Sequence, residues 1–223
     1  MARRGRRIPQ VLSISEQKKL LNSFNTKYLA PLRNKALVRL MLTAGLRLSE
    51  AINLKWQNIS FQTGQLKVVE GKGRKDRNLW LGEGTLDLLK VWRERQIEGL
   101  SAKGYVNENN YVFTTNTTGR RLNAANVRQM IYRHAENCGI QEVALRHYRD
   151  KEGNKLPGTY KEKKVTPHTL RHTFATDLYR NCLNIRRVQK ALGHADLSTT
   201  MIYTHLVDEK LERDMKALDG KFD

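Results

Sequence analysis

Four side chains in the C-terminal third of the chain have types and spacing suited to chemistry at a phosphodiester. They are His168, Arg171, His194 and Tyr203, separated by three, twenty-three and nine residues. A phosphodiester and an oxygen nucleophile are both electron-rich, so attack needs cations against the non-bridging oxygens, and the leaving alkoxide needs a proton. Arginine supplies a rigid, bidentate cationic fork. Histidine donates or accepts hydrogen bonds and protons near neutral pH. A tyrosine phenol, with a free pKa of about 10, becomes a nucleophile once a base relieves it of its proton. Taken singly, each residue has a plainer reading: His168 and Arg171 as a surface pair on a helix, Tyr203 as core packing.

The local sequence supplies elements to position them. Thr166 is a suitable N-cap and Pro167 a suitable first helical residue, because proline lacks a donor that would be unsatisfied there. A helix starting at this point carries His168 and Arg171 on one face of its first turn, beside the positive end of its dipole, which makes a phosphate site. His168 and His172 lie four apart and invite a zinc reading. Thr169, Leu170 and Arg171 intervene, however, with no carboxylate, and Arg171 would repel a cation, so no metal is expected. Leu192-Gly193-His194 ends a second helical run at a glycine cap, and Asp196 to Thr200 opens the next, which places His194 at a junction.

Together, His168-x-x-Arg171, Leu192-Gly193-His194 and Tyr203 resemble the C-terminal signature of the tyrosine recombinase (phage integrase) family. The likeness continues through the apolar positions Phe174, Ala175, Val188 and Leu192, and reaches back to about Ile8. Thr43-Ala44-Gly45-Leu46-Arg47-Leu48-Ser49-Glu50 matches the family's Gly-Leu-Arg-x-Ser-Glu pattern. In isolation Arg47 is a loop arginine between a helix stopped by Gly45 and one begun at Leu46. The resemblance makes it the first catalytic arginine, with Glu50 a supporting carboxylate. It also implies a catalytic lysine in the turn Gly71-Lys72-Gly73-Arg74-Lys75-Asp76, where Lys72 is the matching residue and Lys75 the competitor. Arg74, Lys75 and Arg77 are then DNA-backbone contacts. The turn is not a P-loop, because the GxxxxGK[ST] frame is missing, so no nucleotide cofactor is expected.

Composition agrees with a nucleic-acid partner. Lysine and arginine number 41 against 22 acids, a net charge of +19 spread along 223 residues. Such a field favours a polyanion, while 39% hydrophobic residues and long periodic segments exclude a disordered basic chain. Cys138 and Cys182 lack CxxC or zinc spacing and read as structural thiols of a reducing compartment. No apolar run reaches the length of a membrane span, and Arg3-Arg4-Gly5-Arg6-Arg7 has no hydrophobic segment behind it, so the chain reads as cytoplasmic.

Read in order, residues 1–10 form a basic arm and 11–223 one catalytic domain. Its expected fold is α+β and mainly helical, with a small three-stranded antiparallel sheet. Helices are expected from a cap at Ser15 to Phe24, over 32–44, from Leu46 onward, over 84–97 and over 124–138, with Val127, Ile131 and Ala135 inward. Strands are expected at Ile59 and Phe61, at 66–69 and at 77–81. Arg120 and Arg121 on a loop, and Arg128 on the helix after it, are candidate DNA contacts, and Arg133 faces DNA or water. Residues 139–164 read as an insertion, either a surface loop or a DNA-contacting flap. Residues 206–218 have the spacing of an amphipathic helix that, by the resemblance, docks on a neighbouring protomer.

By resemblance, the chain is a site-specific DNA recombinase or integrase. It cleaves double-stranded DNA through a 3′-phosphotyrosyl intermediate, without metal or ATP, as a homo-oligomer on DNA that the family makes a tetramer. Type IB topoisomerase-like relaxation and a DNA-binding accessory role on the same fold are the alternatives. Only Met1 to Gln10 precede the match, whereas most family members carry a further helical DNA-gripping domain there.

Overall fold

The computed structural model describes residues 9–69, 76–150, 155–194, 200–201 and 203. Helix α1, Ile14–Asn22, is capped by Ser13, not by Ser15. Glu16 decides this: its amide donates to the Ser13 hydroxyl at 3.2 Å and its carboxylate accepts from the Ser13 amide at 2.8 Å, a reciprocal box that Ser15 cannot make. Helix α2, Leu29–Ala44, is the centre of the molecule. Leu32, Ala36, Leu37, Val38, Leu40, Met41, Leu42 and Ala44 are all buried, so apolar side chains cover it on nearly every side. At about 1.5–3 kcal/mol for each fully buried large apolar side chain, packing rather than helix propensity holds it. It starts three residues earlier than the apolar spacing indicates, because Pro31 is tolerated in a first helical turn. Helix α4, Glu83–Ser101, and helix α6, Pro167–Cys182, pack against it.

Gly45 ends α2 in a left-handed conformation at φ 60°, and its amide donates to the Met41 carbonyl at 3.1 Å. A Cβ built there would overlap the Phe174 ring, so this glycine answers both a backbone and a packing requirement. Gly45→Ala is therefore expected to lower stability by about 2–5 kcal/mol, from left-handed strain plus overpacking. Urea unfolding checks it, and a loss under about 1 kcal/mol would show that Phe174 moves aside freely. The following connection leads into helix α3, Leu48–Asn53.

Beyond a 3₁₀ turn at Trp56–Asn58, strands β1, Gln65–Val68, and β2, Arg77–Trp80, pair antiparallel with Gln65 opposite Trp80 and Val68 opposite Arg77. The expected third strand is reduced to one bridge, Ile59 to Leu66, because the 3₁₀ turn precedes it and a turn at Phe61 follows. Helix α5, Ala124–Asn137, begins where Asn123 accepts from the Ala125 amide at 2.7 Å, and it buries Val127, Ile131 and Ala135.

The insertion is not a plain loop. Strands β3, Val143–Arg149, and β4, Lys155–Lys163, form an antiparallel hairpin with an irregularity between His147 and Arg149, so the described residues hold two two-stranded sheets. Most described side chains of this hairpin are exposed on both faces, and without a buried face no period-two pattern is selected in the sequence. Its base is tied down by charge: Lys163 Nζ reaches Glu136 at 2.7 Å and sits 4.4 Å over the Tyr132 ring, while Lys164 bridges Glu16 and Glu142. Helix α6 starts at Pro167 with Thr166 as its cap, as the sequence indicates, and helix α7, Ile185–Leu192, ends at Gly193 with φ 65°. No described helix is long and apolar enough to cross a membrane. The helices expected at 196–200 and 206–218 fall on residues that lie, apart from Thr200, outside the described set.

Candidate active site

Arg47, Arg128, His168, Arg171, His172, His194 and Tyr203 line one cleft of about 460 Å³. They arrive from the α2–α3 connection, α5, α6, the end of α7 and the segment after it. Five of the six expected catalytic residues therefore converge. The sixth, Lys72, lies outside the described residues, as do Arg74 and Lys75.

Glu50 organises the floor of this cleft. Its carboxylate accepts from the Arg47 amide at 2.7 Å and the Arg47 guanidinium at 2.6 Å. It also accepts from Arg77 through both terminal nitrogens, at 3.2 and 2.8 Å, and lies 3.7 Å from Arg171. Burial opposes its charge, yet the hydrogen bond and charge of Arg77, with the bonds from Arg47, hold its carboxyl down at about 2. The chain thus gathers three guanidinium groups around one buried anion. Like-charge repulsion would otherwise drive them apart.

Arg77 corrects an expectation. It is not an exposed DNA-backbone contact: it is 7% exposed, paired with Glu50, and its Nε donates to the Ala191 carbonyl at 2.8 Å. Arg171 donates to the Gly45 carbonyl at 2.7 Å and the Leu192 carbonyl at 2.6 Å. Two cations therefore clamp the C-terminal carbonyls of α7, where its dipole is negative, and this sets the position of His194 just beyond. A guanidinium has five N–H donors, so donors on Arg171 remain for an anion in the cleft. Burial first, then the Arg47 charge, lowers Arg171 to about 10, which keeps it cationic at neutral pH.

His194 Nδ1 lies 3.1 Å from the Thr200 hydroxyl, and burial together with the Arg171 and Arg47 charges pushes it down to about 4. The Tyr203 ring is 1% exposed and packs with Phe174, Ala175, Val188 and Leu192, so the packing reading holds for this residue. Burial raises its phenol to about 12. Its hydroxyl is 2.7 Å from Nδ1 of His172. His168, three residues before Arg171, is exposed at the start of α6 and has no side-chain hydrogen bond among the described residues. His172 was visible in the sequence only as half of a metal pair. Its place one turn further into α6, next to buried Arg171, was the signal available.

Of the remaining expected contacts, Arg120 and Arg121 are exposed, and Arg121 donates to the Asn53 side chain. Arg133 is exposed on α5. A second cleft, of about 500 Å³, shares His168 and His172 with the first and continues along Tyr132, Lys161 and Lys163 at the hairpin base. No group of three His, Cys, Asp or Glu side chains suited to a metal ion occurs among the described residues.

A profile of the phage integrase family matches residues 10–210. The chain belongs to that family. The tyrosine recombinase XerD of Listeria innocua is 34% identical over 205 residues, covering 92% of this chain and 61% of that protein. XerC of Alcanivorax borkumensis is 34% identical over 204 residues, covering 91% and 57%. The integrase-family chain thus spans about three fifths of the length of these relatives. Among solved structures, XerA recombinase aligns with TM-score 0.72 at 31% identity over 96% of this chain and 66% of that one. XerH, in a post-cleavage complex with a palindromic difH substrate, aligns with TM-score 0.70 at 28% identity over 96% and 54%.

Proposed function

We propose that this chain is the catalytic part of a site-specific DNA recombinase, which cleaves and rejoins strands through a 3′-phosphotyrosyl bond at Tyr203. The observation that carries the reading is the convergence of Arg47, His168, Arg171, His194 and Tyr203 on one cleft from separate parts of the chain. Arg47 and Arg171 grip the non-bridging oxygens and neutralise the charge that grows on them. Each such contact in a preorganised site contributes about 10²–10³ in rate. His194 adds a hydrogen bond to the phosphate. The arginines fill the role a metal would otherwise take, and the phosphodiester's energy is kept in the tyrosyl bond, so neither a metal nor ATP is required. The names of the relatives and the His168 to Tyr203 intervals favour recombination over relaxation by a type IB topoisomerase.

Double-stranded DNA is the partner on this reading, held by the excess positive charge, by Arg128 at the cleft, by Arg120 and Arg121, and by the basic residues Arg74 and Lys75. The β3–β4 hairpin, next to the second cleft, is a DNA-contacting flap. The working form is a homo-oligomer on DNA, in the cytoplasm. Lys72 protonates the leaving 5′ oxygen, so Lys72→Ala is expected to slow single-turnover cleavage by about 10²-fold or more and Lys75→Ala by less. Equal effects would remove Lys72 from that role.

The function is tested with a pool of end-labelled, nicked duplexes of randomised sequence, incubated with the chain in EDTA and then denatured. Recovery of a covalent adduct, with mass spectrometry placing the 3′-phosphate on Tyr203, is the expected result. No adduct from any pool that the chain binds would leave a DNA-binding protein without strand cleavage.

A further inference from the structure

We propose that Arg77 is a positioning residue for strand cleavage, which aims His194 at the phosphate by holding the Ala191 carbonyl at the end of α7. The proposal rests on the strand-cleavage reading above and gives a role in it to a side chain that lines neither of the two clefts.

The last four carbonyls of a helix have no partner within it, and the helix end keeps its direction only when other groups take them. At the end of α7 all four are taken. The Gln189 carbonyl accepts from the His194 amide at 3.2 Å and the Lys190 carbonyl from the Gly193 amide at 3.3 Å, bonds that the turn makes by itself. The two that remain go to side chains of other elements: Ala191 accepts from Arg77 Nε at 2.8 Å and Leu192 from Arg171 at 2.6 Å. One such bond leaves a helix end free to pivot about it. Two bonds to successive carbonyls, one from β2 and one from α6, fix its direction, and His194 follows directly after the cap at Gly193.

Arg77 is itself fixed. Its two terminal nitrogens bond both oxygens of Glu50, at 3.2 and 2.8 Å, and Glu50 also holds the amide and the guanidinium of Arg47. A guanidinium is planar and rigid, so the carboxylate at its fork sets the direction of the Nε–H bond. One plane thus relates the start of α3, where Arg47 is the cap, to the end of α7. No other side chain does both. Lysine keeps a cation for Glu50 but has a methylene where arginine has Nε, so the Ala191 carbonyl loses its donor. Glutamine places its amide nitrogen at the level of Nε, so it keeps the carbonyl bond and loses the ion pair.

The test reads single-turnover adduct formation, at saturating DNA, on an end-labelled nicked duplex selected by this chain from the randomised pool, beside urea unfolding of each variant. Arg77→Lys is expected to unfold at a higher urea concentration than Arg77→Gln, because breaking a buried ion pair costs more than losing one hydrogen bond to a carbonyl. In rate the order reverses: Arg77→Lys slows adduct formation by about 10–10²-fold, the effect of a misplacement of about 1 Å, and Arg77→Gln slows it less. A side chain that only stabilised the fold would give rates in the order of the stabilities. In a His194→Ala background the lysine substitution should cost less than about threefold, because the group it misaims is gone. Rates that follow stability, an Arg77→Lys rate within about threefold of the parent, or a loss that persists in full without His194 would overturn the proposal. The aim of His194 also has a measurement without DNA: the NMR signals of its imidazole should shift in Arg77→Lys and stay near the parent positions in Arg77→Gln, and signals unmoved in Arg77→Lys would overturn the proposal. Absence of adduct in the parent chain, with those shifts present, would overturn the strand-cleavage reading instead.

Discussion

A Tyr203→Phe chain is expected to form no covalent adduct with a nicked duplex, at a detection limit of about one thousandth of the parent level, while still binding it. The substitution leaves the ring among Phe174, Ala175, Val188 and Leu192 and removes only the hydroxyl. Packing is therefore conserved. The structural cost is one hydrogen bond and an unsatisfied Nδ1 on His172, about 1 kcal/mol, which thermal unfolding would register as a small fall in Tm. Because Arg47, Arg171 and His194 are untouched, affinity for DNA in a gel-shift assay should change by less than about threefold. An adduct that persists in Tyr203→Phe would mean that another side chain is the nucleophile. A large loss of affinity together with the adduct would mean that the residue acts through the fold.

Glu50→Ala carries the second large expectation, a loss of about 3–5 kcal/mol in urea unfolding at pH 7, because it strips the anion from a group of buried cations. The side chains of Arg77 and Arg171 are 5% and 8% exposed, so water cannot replace the carboxylate they share. Arg47 would also lose its partner at the helix start, and the cleft its geometry. The same substitution has a pH signature. The folded carboxyl sits at about 2, below the unfolded value of about 4.3, so its contribution is fully present above the unfolded value and is lost as pH falls through the folded one. Parent stability should drop between about pH 5 and pH 2 by on the order of 3 kcal/mol from this group, and Glu50→Ala should lack that part of the drop. A variant that loses less than 1 kcal/mol at pH 7, or that keeps the full acid transition, would show that the arginines find other counterions.

Much of the site was legible because its determinants are local. Thr166 and Pro167 start α6 by backbone chemistry alone. Gly45 and Gly193 stop α2 and α7 because a left-handed residue is needed there, and those stops put Arg47 and His194 on connections. The amphipathic spacing of Val127, Ile131 and Ala135 likewise declared α5. The hairpin of the insertion was not legible, since strands without a buried face carry no alternation to read.

What tertiary structure alone decided is which charged and titratable groups meet. Arg77 and Glu50 are twenty-seven residues apart, and His172 and Tyr203 thirty-one. A basic residue after a Gly-Lys-rich turn looks like a DNA contact until the α7 carbonyls and Glu50 are seen to claim it. A histidine four residues from another looks like half of a metal pair until the chain returns with a phenol. Periodicity and capping act within a few residues and so appear in the sequence by itself. Partner choice for a buried charge or proton depends on what the packed helices bring within about 3 Å, and no local spacing encodes that.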